Sequence, residues 1–184
     1  GAAPRRKAPP APARGYQRSR SVEEEVAVAA QVHAEAIHAV RAMMVRLQDE
    51  GRLDIDLARE TIAPMMESVL RNPDALVWLT RIKDHDAYGY QHAVACSIWG
   101  LAFARHLGLD RAAIYEVGLG CLLFDVGNTR IPAELLAKAK TLLPGERDQI
   151  RAHVEHGHEI LASVPGVTER VLEMVRCHHE RFDG

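Results

Sequence analysis

Ser21 and Glu24 form a Ser-x-x-Glu capping box, and no proline or glycine follows them until Gly51. Such a stretch is bounded at both ends as one long helix, opened by reciprocal capping and closed by a glycine at its C-terminal cap. Val26, Ala29, Ala30, His33, Ile37, Val40, Met44 and Leu47 recur at helical spacing along it. A helix with one apolar face must bury that face, so the remainder of the chain has to supply helices or a sheet that cover it.

The remainder reads as helices. Asp54 or Asp56 caps a second segment ending near Arg71, with Pro64 inside it predicting a kink or a break. Asn72-Pro73 is a cap followed by a first-turn proline, opening a third helix through Lys83. Residues 89–107 form a strong helix candidate closed by Gly108, and Asp110 caps another over 111–124. Asp125-Val126-Gly127-Asn128 breaks that pattern, and Pro132 opens a short helix to about Ala139. Pro144 starts a helix of roughly twenty residues that ends before Pro165-Gly166, and a last helix covers about Val167 to His178. No alternating strand and no repeat of fixed period is present, so the expected fold is all-α. Trp78 and Trp99 read as core anchors, and Cys96, Cys121 and Cys177 as packing residues of apolar helix positions.

With 184 residues the chain is long enough for one domain carrying a helical extension. No apolar run approaches the roughly 18 residues a membrane span needs, and there is no secretory apolar stretch at the start. The three cysteines are far apart and form no Cys-x-x-Cys pair, which excludes a thiolate zinc site and favours a reducing, cytoplasmic setting. Residues 1–20 carry six basic side chains and no acid, leaving the body with 17 basic against 25 acidic. A tail of this charge fits contact with nucleic acid or anionic lipid, but its Pro/Ala/Arg composition fits a disordered linker better. It is expected to be mobile and to add nothing to the core. The acidic body argues against general nucleic-acid binding, since no basic stripe recurs after residue 20. Gly1 and Gly184, at the two ends, are expected to lie inside a longer protein.

The chemistry-bearing residues are concentrated toward the end. Five of the ten histidines fall between 153 and 179, with His178-His179 adjacent at a helix end. His92 opens an apolar helix, and Asp125 stands at the glycine-marked end of another. His153 and His156 share a helix face, and His158 points elsewhere. Imidazole and carboxylate together suit zinc, iron, manganese or nickel, and a carboxylate can bridge two ions. Singly, a helical histidine is most often solvated or hydrogen-bonded, and His33, His38, His85 and His106 are read that way.

The order of these motifs carries more. Tyr88-Gly89-Tyr90-Gln91-His92, Leu122-Leu123-Phe124-Asp125-Val126-Gly127-Asn128, His153-Val154-Glu155-His156-Gly157 and His178-His179-Glu180-Arg181-Phe182-Asp183-Gly184 occur in fixed succession. This resembles the HD-GYP family of metal-dependent phosphodiesterases that open the bacterial second messenger cyclic di-GMP. The likeness covers roughly residues 70–184, and Asn72-Pro73-Asp74-Ala75-Leu76 looks like the region joining such a domain to an attached N-terminal one. It implies an HD-superfamily helical bundle over 71–184, preceded by a helical linker over 21–70 and the basic tail over 1–20. It also implies that His92, Asp125, His153, His178 and His179 hold one or two divalent transition-metal ions, with Asp125 as the bridging, catalytic carboxylate. Arg181 either meets a substrate phosphate or pairs with Glu180 or Asp183.

Three departures stand against the family pattern. The namesake His-Asp pair is Phe124-Asp125, so an apolar ring replaces one ligand. The lysine expected three residues after the aspartate is Asn128, an amide that can donate to a phosphate but brings no positive charge. The chain ends at Gly184, where the Gly-Tyr-Pro motif would begin. Phosphodiester hydrolysis needs an acidified water and counter-charge for the transition state, and both departures inside the chain weaken these. The resemblance therefore implies a weakened cyclic di-GMP phosphodiesterase. The alternative is a catalytically inactive domain that binds nucleotide, signalling proteins or a second copy of itself.

Overall fold

The computed structural model describes residues 15–81, 88–138, 141–181 and 183. Among them the chain is helical, with no strand. Helix α1 (Val22–Glu50) opens on the expected capping box: the Glu24 amide donates to Ser21 Oγ at 3.2 Å and the Ser21 amide to the Glu24 carboxylate at 2.8 Å. It closes at Gly51, whose φ of 67° is the left-handed conformation only glycine adopts cheaply. Its buried stripe is Ala29, Val32, Ala36, Val40, Met43, Met44 and Leu47, with Ile37 half-buried against it, so Val32, Ala36 and Met43 join the expected inward face. No helix of the described residues is long and apolar enough to cross a membrane.

Helix α2 (Ile55–Arg71), capped by Asp54, packs along α1. It runs unbroken through Pro64, contrary to the expected kink or break. Pro64 lies on the exposed face, so the carbonyl it orphans can be solvated, while Ile62, Met65, Met66 and Val69 hold the helix to the core. Helix α3 (Pro73–Leu79) stops four residues short of Lys83. Helices α4 (Tyr88–His106) and α5 (Arg111–Leu123) form a hairpin through Gly108, with Asp110 capping α5 as anticipated. After a 3₁₀ turn (Val126–Arg130) come α6 (Ala133–Leu136), α7 (Pro144–Arg151), α8 (His153–Ala162) and α9 (Glu169–Cys177). The single helix expected after Pro144 is two, separated at Ala152, and that break turns His153 toward the body of the fold.

The core is aliphatic: Ile62, Met65, Leu76, Ile98, Leu101, Ile114, Leu122, Leu123 and Leu161 are fully buried. Trp78 and Trp99 are not core anchors, being 57% and 52% exposed. Each follows a buried residue on its helix by one or two positions, and so projects from the opposite face. Cys96 and Cys121 are half-buried, as packing residues would be, and burial pushes the Cys121 thiol up to about 11. Cys177 is exposed.

The tail boundary also moves. Residues 1–14 lie outside the described residues, but 16–20 are docked, against the expectation that nothing before residue 21 reaches the core. Tyr16 packs on the core and its hydroxyl donates to the Leu109 carbonyl at 2.8 Å. Arg105 donates to the carbonyls of Tyr16 and Gln17, the Ser19 amide to that of Arg71, and Asn72 to that of Arg20. One aromatic ring and a set of satisfied backbone groups suffice, and neither needs the apolar periodicity that segment lacks.

Candidate metal centre

Four helix ends converge on one polar site. Asp125 follows the last turn of α5 and is held by the 3₁₀ turn, which lies against α8. The approach depends on Gly127, since a Cβ there would sit 1.9 Å from the His153 carbonyl oxygen and 2.5 Å from the Gly157 nitrogen. Those are backbone atoms that no rotamer change can move. Gly127→Ala must therefore separate the turn from α8, with an expected loss of about 1–3 kcal/mol for overpacking. Thermal melting should show this loss, and metal analysis should show a fall in bound metal, because Asp125 and His153 move apart.

His153, at the start of α8, is buried; His178 and His179 follow α9; His92 lies in the first turns of α4. Asp125 stands between them. Its Oδ2 is 3.7 Å from His92 Nε2, and its Oδ1 is 3.4 Å from His153 Nε2 and 3.8 Å from His178 Nε2. The imidazoles of His153, His178 and His179 offer nitrogens within 4.8 Å of one another. Every one of the five predicted ligand positions is thus in one cluster.

The tautomers follow from the backbone. A carbonyl only accepts, so His153 Nδ1–H donates to Ile150 O at 2.6 Å and His178 Nδ1–H to Val175 O at 2.8 Å. In the neutral rings both Nε2 atoms are then lone-pair donors, and they face each other at 3.1 Å, with His179 Nε2 3.3 Å from that of His153. Lone pairs so close are favoured when a proton or a cation lies against them, and this set of imidazoles beside a carboxylate fits a borderline transition-metal ion. Burial holds His178 below the ordinary histidine range, with His179 and His153 adding to the effect and Val175 and Asp125 opposing it. A neutral ring is the form that ligates.

Phe124 borders this cluster. Its ring stacks on His178 at 4.8 Å between centroids and meets His92 edge-on at 6.5 Å. Asn128 lies with His92 and Asp125 along an apolar cleft of about 320 Å³, whose far wall is Met44 and Gln48 of α1 with Tyr90 and Leu136. A separate groove of about 740 Å³ shares His153 and His179 with the cluster and contains Arg181. Among the described residues no carboxylate lies within 4.0 Å of Arg181, so its ion pair with Glu180 or Asp183 is not formed. His156 stays outside the cluster, with a buried Nδ1 that has no hydrogen-bond partner among the described residues. His85 lies outside the described residues.

Sequence reasoning missed Cys96, whose Sγ is 3.5 Å from His92 Nε2; the four-residue step from His92 on one helix was the available signal. It also missed the contribution of α1, for which no local signal exists.

An HD domain family model matches residues 78–184. The chain belongs to the HD domain family. It is 34% identical, over 89% of its length, to a cyclic di-GMP phosphodiesterase of Pseudomonas aeruginosa, covering 40% of that protein. It is 26% identical over 77% of its length to the cyclic di-GMP phosphodiesterase response regulator RpfG of Xanthomonas campestris pv. campestris, covering 39% of it. A cyclic di-GMP phosphodiesterase of Thermotoga maritima is 30% identical over 44% of the chain, which covers 22% of that relative. The chain therefore spans two fifths or less of the curated relatives it matches. No solved structure gives a significant match.

Proposed function

We propose that this chain is the hydrolytic part of a cytoplasmic, metal-dependent cyclic di-GMP phosphodiesterase slowed by Phe124 and Asn128. The observation that carries the reading is Asp125, with His92 on one carboxylate oxygen and His153 and His178 on the other. His153, His178, His179 and Asp125 would hold one ion, and Asp125 with His92 a second, of iron, manganese, zinc or nickel. Such ions supply an acidified water and counter-charge for the phosphate. Water adds across one phosphodiester bond of the ring, leaving a phosphomonoester and a free ribose hydroxyl in a linear dinucleotide.

The chain's own residues do the rest. The backbone acceptors of His153 and His178 fix both rings with Nε2 toward the site. A purine ring fits the cleft between Met44, Tyr90 and Leu136, which is lined mainly by apolar groups and opens onto Asp125. Asn128 donates to a phosphate oxygen from the wall of that cleft. Phe124 keeps water from the His178 face but offers no lone pair. Its stacked ring is also the observation that favours the second reading, a nucleotide-binding regulator without turnover.

The test is metal content and cyclic di-GMP turnover of the full-length protein beside its Asp125→Asn variant. Turnover in the wild type, with a fall of about a hundredfold or more in the variant and loss of metal, is expected. Equal turnover in the two proteins refutes the assignment, and cyclic di-GMP binding without any turnover establishes the regulator instead.

A further inference from the structure

The reaction proposed above concerns one phosphate, but its substrate carries two, and the lysine expected near the centre is Asn128. Cationic side chains are gathered in a groove that the histidines also line. The groove of about 740 Å³ that shares His153 and His179 with the centre is lined by Arg147 and Arg151 of α7, Arg176 of α9 and Arg181 beyond it. Glu180 is the acidic residue facing these four.

Shared lining of one groove, together with weak or absent ion pairing, sets them apart. Arg71, Arg111, Arg130 and Arg170 each pair with a glutamate. Among the described residues Arg147, Arg176 and Arg181 have no carboxylate within 4.0 Å, and Arg151 has one loose contact, 3.8 Å to Asp148, with both side chains more than 70% exposed. An exposed contact of that length contributes little. Four guanidinium groups thus line one groove of a body that carries 17 basic against 25 acidic side chains. Four like charges facing a single carboxylate, Glu180, leave the groove with an excess of positive charge that favours a bound anion. Guanidinium forks match phosphate oxygens in pairs.

Resting on the function proposed above, we infer that Arg147, Arg151 and Arg176 form an anion subsite that holds the second, uncleaved phosphate of the cyclic dinucleotide. The substrate then lies across the centre, with a base in the α1 cleft, the scissile phosphate at Asp125 and the other phosphate on the arginines. The subsite offsets the cation lost at position 128 through binding and leaves the chemical step as slow as Asn128 makes it.

The experiment uses the full-length metal-loaded protein and the double variant Arg147→Gln, Arg151→Gln, both exposed side chains whose replacement leaves the core intact. Affinity for cyclic di-GMP is measured by titration calorimetry. Turnover is measured with bis(p-nitrophenyl) phosphate, which has a single phosphate and engages only the centre. A tenfold or greater loss of cyclic di-GMP affinity, with unchanged hydrolysis of the small diester and unchanged metal content, is expected. Wild-type affinity that the variant leaves intact overturns the subsite alone. A parallel loss of small-diester hydrolysis also overturns it, since the arginines would then be supporting the centre. A wild type that does not bind cyclic di-GMP overturns the proposed function and the subsite together.

Discussion

In the full-length protein, Phe124→His combined with Asn128→Lys is expected to raise bound metal and cyclic di-GMP turnover together, turnover by about a hundredfold. Phe124 already stands where a ligand is wanted, its ring stacked at 4.8 Å on His178 and 6.5 Å from His92. An imidazole on the same backbone brings a lone pair to the side of Asp125 that His92 serves, without moving any helix. The surrounding backbone is regular, with Phe124 itself helical, so no strain opposes the exchange. Lysine at 128 points from the wall of the cleft that contains Asp125 and His92, which places positive charge beside the phosphate. Each contact of this kind is worth on the order of 1–4 kcal/mol in a partly desolvated site, and tenfold in rate corresponds to about 1.4 kcal/mol. Elemental analysis and a turnover assay check the prediction. Rapid wild-type turnover with two bound ions, unimproved by the double change, would show that the aromatic ring costs nothing.

What could be read in advance was local. Ser21, Asp110 and Gly51 act at a helix end through bonds to residues within four positions, so the start of α1, the start of α5 and the end of α1 were legible. The five clustered residues, His92, Asp125, His153, His178 and His179, were legible because each sits in a short motif of fixed order. Misreadings arose wherever the deciding contact was remote. Pro64 leaves α2 unbroken because its face is solvated, while the buried residues on either side bind it to α1 and the core. Trp78 and Trp99 face out because Leu76 and Ile98 already fill the interior beside them. Residues 16–20 dock through Tyr16 and backbone acceptors that a hydrophobic pattern does not register. The cleft beside Asp125 needs Met44, some eighty positions earlier, and packing of α1 against α4 and the 3₁₀ turn brings it there. Motif order thus picked out the clustered polar residues, while the clefts around them came from tertiary contact.

Glu25→Ala is expected to destabilise the fold by about 3 kcal/mol, the range for breaking a buried ion pair from one side. Glu25 is fully buried in the first turn of α1, where the helix dipole favours a negative charge. Arg71 of α2 donates to it twice, at 2.7 and 2.8 Å, Ser68 once at 2.8 Å, and Arg20 of the docked tail once at 3.2 Å. One carboxylate therefore ties α1, α2 and the tail, and its removal leaves Ser68 and Arg71 without their acceptor. The Arg71 hydrogen bonds hold its pKa below the ordinary carboxylate value of 4.5, against the opposing effect of burial. Because the unfolded chain takes up this proton at higher pH than the native one, stability is complete above about pH 4.5 and is lost as pH falls through the depressed native value. Glu25→Gln keeps an acceptor for Ser68 and should cost less, but it should flatten this acid limb. Denaturant titrations of the three proteins at neutral and acid pH separate the two effects. A wild type and Glu25→Gln that lose stability in parallel on acidification would place the acid-sensitive group elsewhere, and an unchanged midpoint for Glu25→Ala would mean that the tail and both helices are held by their apolar contacts alone.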